Sequence, residues 1–121
     1  MLLPLAGCGL ADRENAASAV AERFGAAVRD RDGAAGCRLL APSTRSEVEK
    51  SGSAPCPESL VEEDLPAVGE VVRVEVYGDN AQVRGDSDTV FLTYAGDGWL
   101  VVAAGCTRQP GQPYDCTVKA E

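Results

Sequence analysis

From Val71 onward, apolar and polar residues alternate with the period of a β-strand; before it, apolar residues recur at helical spacing. In Val71-Val72-Arg73-Val74-Glu75-Val76-Tyr77, the residues Val72, Val74 and Val76 fall on one side and Arg73 and Glu75 on the other. A period of two marks a strand with one face buried. Gly78-Asp79-Asn80 supplies a turn, and Ala81-Gln82-Val83-Arg84 returns with the same alternation. Gly85 to Asp88 turns again into Thr89-Val90-Phe91-Leu92-Thr93-Tyr94. Gly96-Asp97-Gly98 predicts a hairpin, because Asp-Gly tolerates the positive φ of tight turns. Trp99 to Ala104 is apolar on both sides, which predicts a central strand. Thr107 to Pro113 reads as a polar connection, and Tyr114 to Val118 as a last edge strand.

In the first half, a helix is predicted from about Asp12. Ala17, Val20, Ala21, Phe24, Ala27 and Val28 form one apolar stripe along it, with charged residues over much of the rest. Gly25 lies inside this helix, where it costs about 1 kcal/mol relative to alanine and allows close approach to the sheet. Asp32 is a candidate N-cap for a short helix over Gly33 to Ala41, ended by Pro42. Thr44 with Glu47 makes a capping box for the next, and Pro57 suits the first turn of another. Helices first and an antiparallel meander after them is an α+β order.

Composition narrows the chemistry. A chain of 121 residues is one domain at most. Its net charge of −8 excludes the basic stripe that nucleic acid requires and electrostatic docking on anionic lipid. The absence of histidine removes the commonest general base and metal ligand together. Glu62-Glu63-Asp64 lacks the spaced oxygen donors and turn glycine of a calcium site, and reads as a solvated helix end. No metal and no cofactor is implied.

The five cysteines are Cys8, Cys37, Cys56, Cys106 and Cys116, none in a CxxC pair, so neither zinc nor a dithiol redox motif is suggested. The odd count sets one apart. Leu5-Ala6-Gly7-Cys8, after the apolar opening Met1-Leu2-Leu3-Pro4, resembles the lipobox of bacterial lipoproteins: a leucine, two small residues and the cysteine that is acylated. Seven residues precede Cys8 and none is charged, a shorter lead than the family's basic n-region and apolar h-region. The resemblance implies a signal-peptide remnant over residues 1–8 with Cys8 lipidated, and a single domain over 9–121. That domain would be held by its lipid on the extracytoplasmic face of the cell membrane, with Gly9-Leu10-Ala11 as a very short tether. In an oxidising compartment the other four cysteines pair. Three connectivities exist, of which sequence proximity favours Cys37–Cys56 with Cys106–Cys116. The first would staple two helical segments and the second would pin the C-terminal tail to the last strand.

The helices, the meander and the cysteine framework together resemble the nuclear transport factor 2-like fold, and more narrowly small actinobacterial lipoproteins that carry it. The stretches behind this are Cys37-Arg38-Leu39-Leu40-Ala41-Pro42, Pro55-Cys56, Thr89-Val90-Phe91-Leu92, Gly98-Trp99, Ala104-Gly105-Cys106 and Tyr114-Asp115-Cys116. The resemblance implies a curved sheet of four to five strands, cone-like, wrapped round a pocket that the first helix closes. It names no reaction, since one fold hosts many functions.

Two function classes follow. One is a non-enzymatic binding domain for a small apolar ligand or an envelope protein. The other is an isomerase or cyclase with a pocket carboxylate as base and a hydroxyl donor opposite. For that chemistry the candidates are Glu75 or Asp88 as base and Tyr77 or Tyr94 as donor. Phe24, Phe91 and Trp99 are candidate pocket walls, although aromatic residues on strands serve more often as core. Glu75 alternates with the buried valines, so it lies on the face opposite to theirs, whether solvent or the hollow of the cone.

Overall fold

The computed structural model describes residues 8–120. The predicted lipobox residues Leu5, Ala6 and Gly7, and the side chain of Cys8, lie outside the described residues. The order is α1 (Cys8–Arg29), α2 (Gly33–Arg38), α3 (Pro42–Gly52), α4 (Cys56–Glu62), then β1 (Val71–Tyr77), β2 (Asn80–Gly85), β3 (Thr89–Tyr94), β4 (Trp99–Gln109) and β5 (Gln112–Lys119). The five strands form one open antiparallel sheet in sequence order. The α+β class is thus as the sequence predicts.

Helix α1 begins a turn earlier than Asp12, since nothing between Gly9 and Ala11 breaks a helix. Its apolar stripe faces the sheet: Ala17, Val20, Ala21, Phe24 and Ala27 are buried, and Val28 packs against them. Gly25 lets the helix approach the segment before β1 rather than a strand. A Cβ there would stand 3.2 Å from the backbone nitrogen of Val68. Asp32 caps α2 as predicted, accepting from the Ala35 amide at 3.1 Å.

Two helix boundaries differ from expectation. Helix α2 stops at Arg38, with Leu39 as its C-cap, because the chain from Leu40 bridges to β4: Val101 N–H donates to Leu39 O at 2.7 Å, and Ala41 N–H to Val101 O at 2.8 Å. This covers the stretch of β4 that β5, paired from Ala103 onward, does not reach. Pro42 then starts α3 directly, as a first-turn proline can. Thr44 is therefore no cap. It is fully buried, and its hydroxyl donates to Val102 O at 2.9 Å. The N-terminus of α4 has no cap from its own Pro55, and the Glu49 carboxylate of α3 accepts the Cys56 amide at 3.3 Å.

In the sheet, the alternation of β1 carries one correction. A bulge between Val71 and Arg73 places two residues opposite one and shifts side chains between faces. Val72 is consequently turned outward, at 58% exposure, and Val71 joins Val74 and Val76 against the core. The turn predicted from Asp97-Gly98 exists, but its positive φ, +69°, falls on Gly96. The larger correction is at the C-terminal end. Thr107 to Pro113 is not a connection: β4 runs on to Gln109, Pro110-Gly111 turns, and β5 starts at Gln112.

Both disulfides pair as sequence proximity favours. Cys37–Cys56 joins α2 to the start of α4. Cys106–Cys116 links directly opposed residues of β4 and β5, so it is a rung inside the hairpin, not a pin on a tail. Loops of this size give about 3 kcal/mol per bridge on the chain-entropy account. Among the described residues no helix is long and apolar enough to cross a membrane.

Candidate functional site

The wall candidates Phe24, Phe91 and Trp99 and the base and donor candidates Glu75, Tyr77 and Tyr94 do not line one cavity among the described residues. Phe24 is 2% exposed at the centre of the core, among Ala21, Leu60 and the valines of the sheet. Tyr94 and Trp99 meet edge to face, centroids 5.4 Å apart, at the far ends of β3 and β4. Their faces are already taken: the Arg13 guanidinium of α1 lies 5.6 Å from each ring centroid, a cation–π contact on both. Arg13 also donates to Gly78 O and stands 3.6 Å from the Asp79 carboxylate. It thereby fastens α1 to the β1–β2 turn, and Tyr77 beside that turn is 54% exposed. Glu75 and Phe91 belong to the other face of the sheet, in register with Gln82 between them.

Against the inner face the helices leave little space. Ala81, Val83, Val90, Leu92, Val101 and Ala104 meet Ala17, Ala21, Phe24, Val48 and Leu60 in one cluster. Between α1, α2 and α4 a crevice of about 20 Å³ remains, room for a single water, and a second of about 110 Å³ opens between α3 and β5 beside Val48 and Val118.

Asp88, the second candidate base, is buried but engaged. One carboxylate oxygen accepts from Gly105 N–H at 2.9 Å and the other from Cys106 N–H at 3.0 Å. Burial pushes its pKa up from the ordinary aspartate value, while the amides of Gly105, Thr89 and Cys106 act to lower it. The reason for this contact lies in the register. The β3–β4 ladder ends at Phe91 opposite Ala103, so the next stretch of β4 has lost its partner on that side. The carboxylate of Asp88 stands in for the missing strand, satisfying amides that would otherwise be buried and unpaired.

The same place is a corner. Along a straight β4, residues near Arg108 would lie roughly 17 Å beyond the level of Ala103, at about 3.4 Å per residue. Yet the ring of Tyr114, which is on β5 near Arg108, sits edge to face 5.1 Å from Phe91, and its hydroxyl accepts from Gln82 Nε2 at 3.2 Å. The β4–β5 tip is therefore folded back over the polar face of β1–β3. Gly105 makes the bend with φ +67°, and a Cβ there would strike Leu65 at 2.8 Å. The Cys106–Cys116 bridge ties the two strands just beyond it.

Under the folded tip runs an open groove of about 420 Å³, lined by Arg73, Glu75, Gln82, Arg84, Arg108 and Tyr114. Arg73 and Arg84 are directly opposed across β1 and β2. Arg73 is 2.8 Å from the Glu75 carboxylate; among the described residues neither Arg84 nor Arg108 has an ion-pair partner. Of these residues the sequence singles out Glu75 alone. A turn at Gly78-Asp79 would itself have set Arg73 against Arg84 by counting back from Tyr77 and Asn80. Arg108 and Tyr114 carried no such signal once their stretch was taken for a connection.

Among the described residues no group of three or more His, Cys, Asp or Glu is arranged to hold a metal. Compared with family models, with curated proteins and with solved structures, the chain matches none.

Proposed function

We propose that this chain is the extracytoplasmic domain of a lipid-anchored membrane protein, and that it acts by binding rather than by catalysis. The observation that carries the reading is the cysteine arithmetic. Four of the five cysteines form two bridges, the state expected of an oxidising compartment, and the fifth, Cys8, ends the lipobox-like Leu5-Ala6-Gly7-Cys8. Helix α1 starts at Cys8, so an acyl group on its sulfur holds the domain against the bilayer with no flexible linker between. The end of the molecule near that start exposes Leu10, Tyr77 and Tyr94, at 51%, 54% and 39%, and tyrosine is at home at headgroup level.

Binding is favoured over proton-transfer chemistry by what the carboxylates are doing. Asp88 spends both oxygens on backbone amides, and Glu75 is paired with Arg73. The cone-like wrapping of the nuclear transport factor 2-like fold remains part of the proposal, with the interior of the cone occupied by the chain's own side chains. A ligand or an envelope partner then meets the outer, polar face.

The test is the intact mass of the full-length gene product expressed in a bacterium with lipoprotein processing, with thiols counted before reduction. The expected result is cleavage before Cys8, an acyl mass on it, recovery in the membrane fraction and no titratable thiol in the folded domain. Replacement of Cys8 by serine releases the protein from the membrane. A soluble protein in which Cys8 is unmodified and all five cysteines react as thiols overturns the proposal.

A further inference from the structure

We infer that the groove beneath the folded β4–β5 tip is a binding site for a small organic anion, a carboxylate or phosphate monoester, gripped by Arg84 and Arg108. The inference rests on the binding part of the proposed function and not on the anchor.

The groove is an exception to the electrostatics of its own chain. On a protein of net charge −8, three arginines and one glutamate line a single concavity. Glu75 neutralises one guanidinium at 2.8 Å, which leaves two positive charges facing the opening. Arg73 directly opposite Arg84 is a like-charge cross-strand pair, an arrangement that costs stability. Local rules of this kind are broken mainly where function requires it. A bound anion resolves the conflict, because guanidinium groups present paired donors that match a carboxylate or phosphate.

The remaining walls fit the same ligand class. Gln82 and Tyr114 are hydrogen-bonded to each other at 3.2 Å, which holds both polar ends at the groove in a fixed place. Phe91 packs against Tyr114 and offers a partly exposed ring beside the charged groups, suited to the apolar body of an organic anion. The site is also built rather than incidental. Arg73 and Arg84 come from β1 and β2, Arg108 and Tyr114 from the tip. They are brought together only by the bend at Gly105, which a buried carboxylate and a disulfide fasten in place.

The test uses the full oxidised chain titrated with phenyl phosphate, and with benzoate and inorganic phosphate in parallel, by calorimetry and by amide chemical shifts. Saturable binding is expected, weakening as sodium chloride is added, with shifts confined to the neighbourhood of Arg73, Gln82, Arg84, Arg108 and Tyr114. Arg84→Gln and Arg108→Gln each weaken it by roughly tenfold or more, as loss of a charge-assisted hydrogen bond implies. Lys50→Gln, on α3, leaves it unchanged. The shift map of the unaltered chain decides the matter even if a variant folds poorly. No saturation with any of the three probes, shifts centred elsewhere, or affinity in both arginine variants unchanged from that of the native chain overturns the inference. Such a failure leaves the anchored domain standing, since that is read from the acyl mass. An unmodified Cys8, conversely, leaves the groove untouched.

Discussion

The two faces of the sheet are made from the same strands and solve opposite problems. The inner face is covered by small aliphatic side chains against α1, α3 and α4, and contributes most of the burial. Among the described residues no helix lies on the outer face of β1–β3. It is partly roofed by the chain's own hairpin tip, and there the contacts are a tyrosine, a glutamine and arginines. The inner face therefore answers for stability, and the outer face is where the molecule has chemistry to offer. Substitutions on the two faces should separate cleanly, and the separation can be attacked from either side.

The largest effect is expected inside. Phe24 is the largest fully buried side chain and touches both helices and sheet. In Phe24→Ala the chain should lose about 3–5 kcal/mol of unfolding free energy, read from urea denaturation under oxidising conditions. For a domain of this size that approaches the whole of its stability, so the variant should be partly unfolded at 37 °C. A loss below about 1 kcal/mol would mean that Phe24 borders a collapsible space, and would return it to the list of pocket walls.

Asp88 lies on the seam between the faces, and its replacement should cost less. In Asp88→Asn the amide oxygen can still accept from one backbone N–H, but the NH₂ then opposes the other. About 1–3 kcal/mol is expected for a buried donor left unpaired. The pH dependence has a definite sign. Burial raises the Asp88 pKa in the folded state, so just above the ordinary aspartate value the folded chain holds more protons than the unfolded one. Stability contributed by this carboxyl is then greatest at the acid end of that window and falls as pH rises through it. The margin of the native chain over Asp88→Asn should shrink accordingly, measured as Tm across the acid range. A margin that grows with pH would show that the amides of Gly105 and Cys106 outweigh desolvation. Because this carboxylate fastens the corner, the variant should also loosen the Phe91–Tyr114 contact, visible as altered tyrosine fluorescence.

How much of this was legible in the sequence follows from what kind of physics each part uses. Period-two alternation and turn residues locate all five strands, and β1 and β3 to the residue, because one-sided burial writes directly into the pattern. The bulge at Val72 was hidden, since an apolar residue on either face preserves the look of alternation. The ends of α2 and α3 depend on Val101 and Val102, some sixty residues away, and the local signal of a capping box at Thr44 was overruled by that tertiary contact. Both disulfide partners were within reach of proximity. The groove was not, because it exists only after the hairpin folds over. Its polar run from Thr107 to Pro113 has the composition of a loop, while Gly105 and Asp88 betray the corner only when their distance is known.

The smallest effect on stability, and the most informative, is expected on the outer face. Arg84 opposes Arg73 and has no partnering carboxylate among the described residues. Removing its charge in Arg84→Gln should change unfolding free energy by no more than about 0.2–1 kcal/mol, in the stabilising direction, as relief of a cross-strand like-charge pair predicts. The gain should fade as salt is added and the repulsion is screened, which distinguishes it from a packing effect. If the variant is destabilised instead, Arg84 is a structural member of the sheet and the outer face is not free for a ligand. If it is slightly stabilised and also loses phenyl phosphate, stability and binding oppose each other at one residue. That opposition is the signature of a charge kept for what it holds, at a position where folding alone would select glutamine.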